Sequence, residues 1–313
     1  SPTPLSQASA APDRSGPTAT PSASAPEEQA PAQPAAEEDI SVAALAASSP
    51  TQEPVATAKP AIPRASTPPP GVGARAYAIV ERDCNALLWG QNERERLPPA
   101  SLTKIVTALV AEEKASLGEM VDVGVSGSQM AKRGSSVMGL EPGMEVSVRD
   151  LLYGLFLPSG NDAALALAEH IGSNASDFAD MMNDTAGRLG MNDSHFSNPH
   201  GLDSSALYSS ALDMAIAGDA ALDDPELAQI SVEPDYKPAW DGPELRNGNK
   251  LLDMYPGAFG VKIGYTTKAR QTIVAAAERD GRQIIVSLFG SENRYTDTIA
   301  LFDWAFAKAP SAC

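Results

Sequence analysis

The distribution of proline and aromatic residues divides this chain of 313 residues at about residue 70. Residues 1–70 hold 15 of the 26 prolines and none of the 17 aromatic residues, and most of the rest is Ala, Ser and Thr. Such a segment buries too little apolar surface to offset the conformational entropy lost on ordering. The sequence therefore predicts a disordered, extended tether over 1–70 and a single well-buried domain over 71–313.

Hydrophobic periodicity orders the folded part as strands, a block of helices, further strands and a last helix. Alternation predicts a first hairpin of Ala74–Arg82 and Ala86–Trp89. The other predicted strands are Met120–Val123, Ser136–Leu140, Glu145–Ser147, Ala258–Lys262, Gln271–Ala277 and Gln283–Phe289. The predicted helices are Ser101–Glu113, Val148–Leu157 with Ser147 as its N-cap, Asp162–Ile171, Ser176–Leu189, Ser210–Ala221 and Arg294–Phe306. This order is typical of an α+β domain, with an antiparallel sheet and helices on both sides.

A serine and a lysine three residues apart lie at the start of the first predicted helix. Ser101 and Lys104 fall on one face of that helix, because residues at i and i+3 are neighbours on a helix surface. At this spacing a lysine amine can take the proton of the serine hydroxyl, so no histidine is needed. The same spacing also occurs on ordinary helices, where the serine is an N-cap and the lysine is solvated. Further motifs must therefore support a functional interpretation.

Two later motifs supply that support. Ser159-Gly160-Asn161 lies where one apolar helix stops, at Pro158, and another begins. Lys262-Ile263-Gly264 precedes the β-rich runs that start at Gln271 and Gln283. Taken alone, the first motif is an ordinary helix–helix connection and the second holds an edge-strand lysine. Their order along one chain, after S-x-x-K, indicates that all three contribute to one site.

The three motifs together resemble the signature of the penicillin-binding, active-site-serine family, S-x-x-K, S-x-N and K-T-G. The chain is most similar to the low-molecular-mass D-alanyl-D-alanine carboxypeptidases, and the resemblance runs from about Ala74 to Phe306. It extends to Gly134-Ser135-Ser136, Arg149–Leu152, Asn198–Asp203, Tyr255-Pro256-Gly257 and Phe302–Phe306. The resemblance implies a β-lactamase/DD-peptidase-like fold with a helical subdomain beside the sheet.

The resemblance also implies a reaction: acyl transfer from a peptidoglycan stem peptide ending in D-Ala-D-Ala, and acylation by β-lactams. Ser101 is implied as the acylated nucleophile and Lys104 as its base, acting as a neutral amine. Burial and the nearby charge of Lys262 would lower the pKa of Lys104 towards that form. Ser159 is implied as a proton relay that bridges the two lysines, and Asn161 as an amide directed at the substrate and at Lys104.

The implied substrate-binding residues belong to the third motif and the last helix. Lys262 and Arg294 would attract the terminal carboxylate of the peptide. The backbone N–H of Tyr265, with that of the nucleophile, would form the oxyanion hole, where loss of one donor typically costs about 3 kcal/mol. Ile263 and Gly264 complete this strand, and Arg294 could equally be a surface residue at a helix start.

Ile263 departs from the family pattern, because the family places threonine there. A charged acceptor short of one hydrogen bond typically loses about 1.5–3 kcal/mol, or roughly ten- to a hundredfold in rate or affinity. Ala269-Arg270 is a second departure, since Ala-Gly is usual. Three interpretations follow: an active carboxypeptidase, which we favour, a weakened muropeptide- or β-lactam-binding sensor, and a serine β-lactamase. The segment between Asn161 and Lys262 lacks the E-x-x-x-N pentad of class A β-lactamases.

Charge and hydropathy exclude other classes. The formal net charge of −17 disfavours a nucleic-acid partner or an anionic membrane surface. No window has some eighteen uninterrupted apolar residues, so we expect no transmembrane segment. The chain begins at Ser1 without a recognisable signal peptide. With the family resemblance, this predicts an extracytoplasmic bacterial protein (secreted, periplasmic or cell-wall associated) whose signal or anchor is already removed.

The cysteines and histidines predict little chemistry. Cys84 lies in the predicted hairpin turn and Cys313 is the last residue, and we expect them to be unpaired, with a disulfide as the less favoured alternative. His170, His195 and His200 show no metal-binding spacing, so no metal site and no cofactor are expected. His200 lies in an Asn-Pro-His-Gly turn, which favours a structural role.

Overall fold

The computed structural model describes residues 67–313. The tether predicted over 1–70 lies outside the described residues except for its last four, and it stays a prediction. Within residues 67–313 the predicted α+β class is confirmed: one antiparallel sheet lies between two layers of helices.

Five long strands form the sheet in the spatial order β2–β1–β9–β8–β7. Their bounds are β1 Ala76–Glu81, β2 Ala86–Gln91, β7 Ala258–Thr266, β8 Arg270–Arg279 and β9 Arg282–Ser291. Four short strands form two further antiparallel pairs, β3 Met120–Asp122 with β4 Glu145–Ser147, and β5 Asp235–Tyr236 with β6 Leu245–Arg246. Since β1 pairs with β9, the first hairpin of the domain is joined to its last two strands. This leaves β7, which carries the third motif, at one edge of the sheet.

The helices divide between the two faces of the sheet. Their bounds are α1 Thr103–Lys114, α2 Gly127–Ala131, α3 Val148–Phe156, α4 Asn161–Gly172, α5 Ala175–Leu189, α6 Ala211–Asp223, α7 Pro225–Val232, α8 Leu251–Met254 and α9 Arg294–Lys308. The sheet has a hydrophobic core on each face, and alternate residues of β1 point into one or the other. Ala76, Ala78 and Val80 pack with α1 and the central helices, whereas Tyr77 and Ile79 pack with α9. The period-2 geometry of a strand explains this division. Among the helices of residues 67–313, none has the length and apolar composition needed to cross a bilayer.

Most of the predicted long elements are present, but one predicted strand is wrong. Ser136–Leu140 has no regular structure, because the backbone N–H groups of Met138, Gly139 and Leu140 donate to the carboxylate of Asp162 rather than to a neighbouring strand. The sequence also failed to indicate α2, α7, α8 and the β5–β6 pair. Ser147 is the N-cap of α3 as predicted, and its Oγ accepts a bond from the N–H of Asp150 at 3.1 Å.

The expectation of unpaired cysteines is wrong as well. Cys84 and Cys313 form a disulfide with a Cα–Cα distance of 5.8 Å, although their positions in the sequence differ by 229. The buried carboxylate of Glu81 explains how they meet: it binds Arg282 on β9 and also accepts from the Ser311 hydroxyl and the Ala312 N–H. The segment after α9 is thereby held against the β1–β2 turn.

Candidate active site

Ser101 lies in a tight turn and not inside a helix. The predicted helix begins later, with α1 at Thr103, and Ala100–Leu102 form a single 3-10 turn before it. Ala100 adopts a left-handed conformation, with φ of 51°. Gly201 closes on this turn, since a Cβ atom at Gly201 would lie only 1.9 Å from the Ala100 carbonyl oxygen. Only glycine allows that approach, which presents Ser101 at the foot of α1.

The Lys104 amine is fully buried directly beneath Ser101. Its Nζ lies 3.2 Å from Ser101 Oγ, 2.7 Å from Asn161 Oδ1 and 2.7 Å from the His200 carbonyl oxygen. Burial lowers the pKa of Lys104 well below its usual value, and the neighbouring charge of Lys262 lowers it further. Asp162 acts in the opposite direction, but less strongly. The lysine that the sequence places beside the serine is therefore biased towards the neutral amine.

Asn161 and Ser159, from the second motif, occupy different environments. The Asn161 side chain joins Lys104 to a neighbouring loop, since its Nδ2 donates to Ser135 Oγ at 2.7 Å. Its backbone N–H donates to the Ser136 carbonyl oxygen at 2.8 Å. The Ser159 Oγ atom is buried and has no hydrogen-bond partner among residues 67–313. The bridge from Ser159 to the lysines, expected from the family, is therefore not formed in this structure.

Lys262 and Arg294 are two basic residues that lie close to each other beside β7. Lys262 is only 2% exposed, and burial, followed by the charge of Arg294, lowers its pKa to about 7. Arg294 is the first residue of α9, and its Nη1 donates to the carbonyl oxygens of Gly264 at 2.8 Å and Thr272 at 3.0 Å. Its Nε donates to Gln271 Oε1 at 3.1 Å. These bonds anchor the guanidinium across β7 and β8, so Arg294 is not a free surface residue.

A cavity of about 320 Å³ joins these elements. It is lined by Ser101, Gly134, Ser136, Leu157, Pro158, Ser159, Arg246, Gly248, Ile263, Gly264, Tyr265 and Arg294. Gly264 allows β7 to approach the Ala100–Leu102 turn, because a Cβ there would lie 2.9 Å from the Ser101 nitrogen. Six of the nine predicted residues line this cavity, and Lys104, Asn161 and Lys262 are buried around it. We name it the active-site cavity.

Ile263 contributes an apolar wall where the family has a hydroxyl. The side chain is half-buried, and a Cβ placed on Gly248 would lie 3.5 Å from its Cδ1. Leu157 and Pro158 extend the same apolar wall. The predicted carboxylate position then has Lys262 and Arg294 beside it but no hydroxyl donor from residue 263.

Sequence reasoning missed several contributors. The His200 backbone carbonyl binds Lys104, whereas its ring Nδ1 accepts from the Leu202 N–H at 3.1 Å. Burial, then the charge of Lys104, lowers the pKa of His200 to about 4, so the ring is neutral near pH 7. Ser135 lies in a segment noted for its resemblance but given no role. No local signal in the sequence marks Gln271 or Arg246.

The sheet, the Ser101 hydroxyl above the buried Lys104 amine, and the two cations Lys262 and Arg294 beside β7 characterise the active-site-serine, penicillin-binding class of proteins. The family model for D-alanyl-D-alanine carboxypeptidase matches residues 63–293. The chain belongs to this family, whose general mechanism is the formation of an acyl-enzyme on serine. Its members act on peptidoglycan peptides and bind penicillins.

Individual relatives agree with that assignment. The chain is 36% identical over 260 residues to the D-alanyl-D-alanine carboxypeptidase DacB2 of Mycobacterium tuberculosis, which covers 80% of this chain and 88% of the relative. It is also 36% identical over 247 residues to DacF of Bacillus subtilis, covering 75% of this chain but only 62% of that protein. A crystal structure of a D-alanyl-D-alanine carboxypeptidase from M. tuberculosis superposes with a TM-score of 0.73 at 32% identity, covering 80% of this chain and 99% of the other.

Proposed function

We propose that this protein is an active serine-type D-Ala-D-Ala carboxypeptidase that removes the terminal D-alanine from peptidoglycan stem peptides. The observation that carries the proposal is the environment of the Lys104 amine. Its two closest neighbours, Asn161 Oδ1 and the His200 carbonyl, can only accept hydrogen bonds. A neutral amine has two N–H donors, so both are engaged and its lone pair is left for the hydroxyl of Ser101.

The proposed acylation step follows from this arrangement. Lys104 takes the Ser101 proton while Oγ attacks the carbonyl carbon of the penultimate D-alanine. The N–H groups of Ser101 and Tyr265 stabilise the resulting oxyanion. When the C–N bond breaks, the departing D-alanine amine takes a proton. Water then attacks the ester carbonyl and frees the shortened peptide and Ser101.

Ser159 is the proposed route of the proton to the leaving amine. Ser159 lines the active-site cavity. Its Oγ atom is buried and has no hydrogen-bond partner among the described residues. A hydroxyl can both accept a proton from the Lys104 ammonium and donate its own to the amine. The absence of a competing bond within 67–313 supports this role, because rotation about χ1 would break no existing contact.

Lys262 and Arg294 are the proposed ligands of the terminal carboxylate. They are two cations beside the middle of β7, where Lys262 is buried and Arg294 is anchored by three backbone and side-chain acceptors. A carboxylate entering there replaces solvent next to two positive groups. This would also raise the pKa of Lys262 towards its charged form, so substrate binding and protonation of Lys262 favour each other.

The disulfide supports an extracytoplasmic location. Disulfides persist in oxidising compartments and are rare in the reducing cytosol of most organisms. The Cys84–Cys313 pair fits a secreted, periplasmic or cell-wall-associated protein, as the family membership also favours. The predicted tether over 1–70 would then separate the catalytic domain, 71–313, from its attachment point.

A weakened, β-lactam- or muropeptide-binding sensor is the second candidate, and Ile263 is the observation that favours it. With an apolar wall in place of the hydroxyl, the cavity can retain acylation chemistry while binding a free carboxylate poorly. A serine β-lactamase would use the same nucleophile, but water would cleave its acyl-enzyme and release the ring-opened penicillin in seconds.

One experiment separates these functions. The protein is incubated with a labelled penicillin and, separately, with diacetyl-Lys-D-Ala-D-Ala, and the products are weighed by mass spectrometry. We expect a persistent adduct on the Ser101 peptide, none in Ser101→Ala, and release of D-alanine from the tripeptide. A persistent adduct without D-alanine release would favour the sensor, and rapid loss of the adduct the β-lactamase. An adduct on another serine would contradict the mechanism.

A further inference from the structure

The turn between β7 and β8 carries the second departure from the family pattern, Ala269-Arg270, where Ala-Gly is usual. Arg270 has φ of 59°, in the left-handed region of the backbone. Glycine adopts this conformation freely, whereas a Cβ atom makes it unfavourable. The chain thus has an arginine at a position where glycine would relieve backbone strain. Strain that is kept in this way points to a role for the side chain.

Contacts among residues 67–313 do not account for that role. Arg270 Nη2 donates to Glu292 Oε1 at 2.8 Å, but the two side chains are 58% and 74% exposed. An ion pair this exposed contributes little to stability, because water and salt screen it. Arg270 also lies outside the lining of the active-site cavity. Neither the fold nor the proposed acylation step therefore explains the arginine.

A small cavity of about 80 Å³ brings Arg270 together with two further cations. We name it the cationic cavity. It is lined by Arg75, Leu97, Pro98, Lys268, Ala269, Arg270 and Gly290. Gly290 allows Arg75 to come close, because a Cβ there would lie 2.8 Å from the Arg75 Cβ. Three of these lining residues are basic and none is acidic, so the cavity is suited to an anion.

The other two cations of the cationic cavity are also open to an incoming anion. Arg75 forms an ion pair with Glu95, but its side chain is 61% exposed. Lys268 is exposed and has no ion-pair partner among residues 67–313. An anion that enters therefore displaces only exposed, screened pairs. The net charge of −17 opposes it weakly, because charges farther away than about 8 Å are largely screened at physiological salt.

The basic side chains of the cationic cavity favour a phosphate group. A guanidinium presents a planar fork of N–H donors that matches two oxygens of a phosphate, and an ammonium adds a point charge. Two forks and an ammonium offer more donors than one carboxylate accepts with its roughly four lone-pair sites. The cavity has room for a few water molecules and so for one such group. Exposed contacts to a single phosphate bind weakly, whereas a polymer presents its next phosphate at high local concentration.

We propose that the cationic cavity binds a phosphate group of a flexible phosphodiester polymer outside the protein. Such a contact would keep the domain beside an anionic polymer. It leaves the active site open, because Tyr265 lies on β7 before the turn and lines the other cavity. None of Arg75, Lys268 and Arg270 takes part in the proposed carboxypeptidase chemistry, so this site is independent of that function.

The test measures binding of the full chain to a fluorescently labelled, base-free oligomer of propanediol phosphate by fluorescence anisotropy. A glutamate oligomer of the same length and charge is the comparison. A flexible chain releases about 0.7 counterion per contact, so three cations predict a slope of about −2 for log affinity against log salt. The glutamate oligomer should bind about two- to fivefold more weakly, which is the worth of one exposed pair.

Variants assign the binding to the cationic cavity. Arg270→Gly should weaken it about two- to fivefold and reduce the size of the salt slope by about 0.7, whereas Tm should not fall, since glycine suits the left-handed position. Glu292→Gln should strengthen binding, because it removes a carboxylate that competes for Arg270, and the gain should vanish in the double variant. Lys132→Gln is the control: it removes one exposed positive charge outside the cavity lining and should leave affinity and slope unchanged.

Two results would overturn the proposal: no saturable binding of the phosphate oligomer at low salt, or an equal loss in Arg270→Gly and Lys132→Gln. Equal affinity for the glutamate oligomer would overturn the assignment to phosphate. Failure of the carboxypeptidase function has a different signature, since the protein would then release no D-alanine from a D-Ala-D-Ala peptide while still binding the oligomer.

Discussion

Replacing Ile263 by threonine tests directly what this site lacks, because it places one hydroxyl in the wall of the active-site cavity. The side chain of residue 263 lines that cavity beside Arg294, where we place the substrate carboxylate. A hydrogen bond to a charged acceptor is worth about 1.5–3 kcal/mol. We therefore expect Ile263→Thr to raise kcat/KM on a D-Ala-D-Ala peptide by roughly ten- to a hundredfold.

We expect Ile263→Thr to lower the free energy of unfolding only slightly. Both residues are β-branched and suit a strand, and Ile263 is only half-buried. Loss of partly buried apolar atoms costs up to about 1 kcal/mol at about 0.8 kcal/mol per buried methylene. In a domain of this size that corresponds to a fall of roughly 2–4 °C in Tm.

Ile263→Val is the matched control, since valine has the shape of threonine without the hydroxyl. Steady-state release of D-alanine is measured for both variants, together with acylation by an ester substrate that has no free carboxylate. We expect the gain only for threonine and only on the carboxylate-ended peptide. If valine and threonine gave the same gain, extra space and not a hydrogen bond would be the cause. If threonine gave no gain, the carboxylate would not lie beside residue 263.

Four further outcomes are expected. Lys104→Arg should fold but acylate with penicillin far more slowly, because a guanidinium cannot lose its proton near neutral pH; an unchanged acylation rate by mass spectrometry would exclude Lys104 as the base. The pKa of Lys262 is about 7, so this amine is cationic below that pH and neutral above it, and kcat/KM on a carboxylate-ended peptide should fall as pH rises through about 7. Acylation by an uncharged ester should not fall there, and parallel profiles would contradict the role of Lys262 in binding. Cys84→Ser should lower the unfolding free energy by about 2–4 kcal/mol and Cys313→Ser by the same amount, since either removes the single cross-link; denaturant melts that show no loss would mean that the disulfide adds no stability. Deleting residues 1–66 should change Tm by no more than a degree or two and leave the acylation rate unchanged, and a large drop in a thermal melt would show that this segment stabilises the domain.

Local patterns in the sequence were sufficient for much of the fold. Period-2 alternation identified β1, β2 and the long strands β8 and β9, and helical periodicity with caps identified α1, α3, α4, α5, α6 and α9. The order of these elements indicated an α+β domain, because strands at both ends of a chain segment with helices between them must pair across it. Motif spacing further selected candidate residues of the site, including Ser101 and Lys104 at positions i and i+3, although Ser101 lies in the 3-10 turn before α1 and not on the helix itself.

Contacts between distant segments decided the rest. Ser136–Leu140 has the composition of a strand, but the carboxylate of Asp162 takes its N–H groups, and that carboxylate comes from another part of the chain. The pairing of Cys84 with Cys313 depends on Glu81 and Arg282 bringing the two ends of the domain together. Neither outcome has a local signature.

For the chemistry of the site, too, the sequence determined one part and the tertiary structure the other. The sequence by itself determined which groups are present: a hydroxyl and an amine at i and i+3, an amide, two cations and an isoleucine in place of threonine. Only the tertiary structure decided their state. Lys104 has a lowered pKa because α4, β7 and the loop at His200 close over it and exclude water, and Arg294 is directed at the cavity because Gly264, Thr272 and Gln271 hold it there. The physical reason is that covalent order determines the identity and spacing of groups along one element, whereas desolvation and charge–charge interaction depend on which distant elements pack around them.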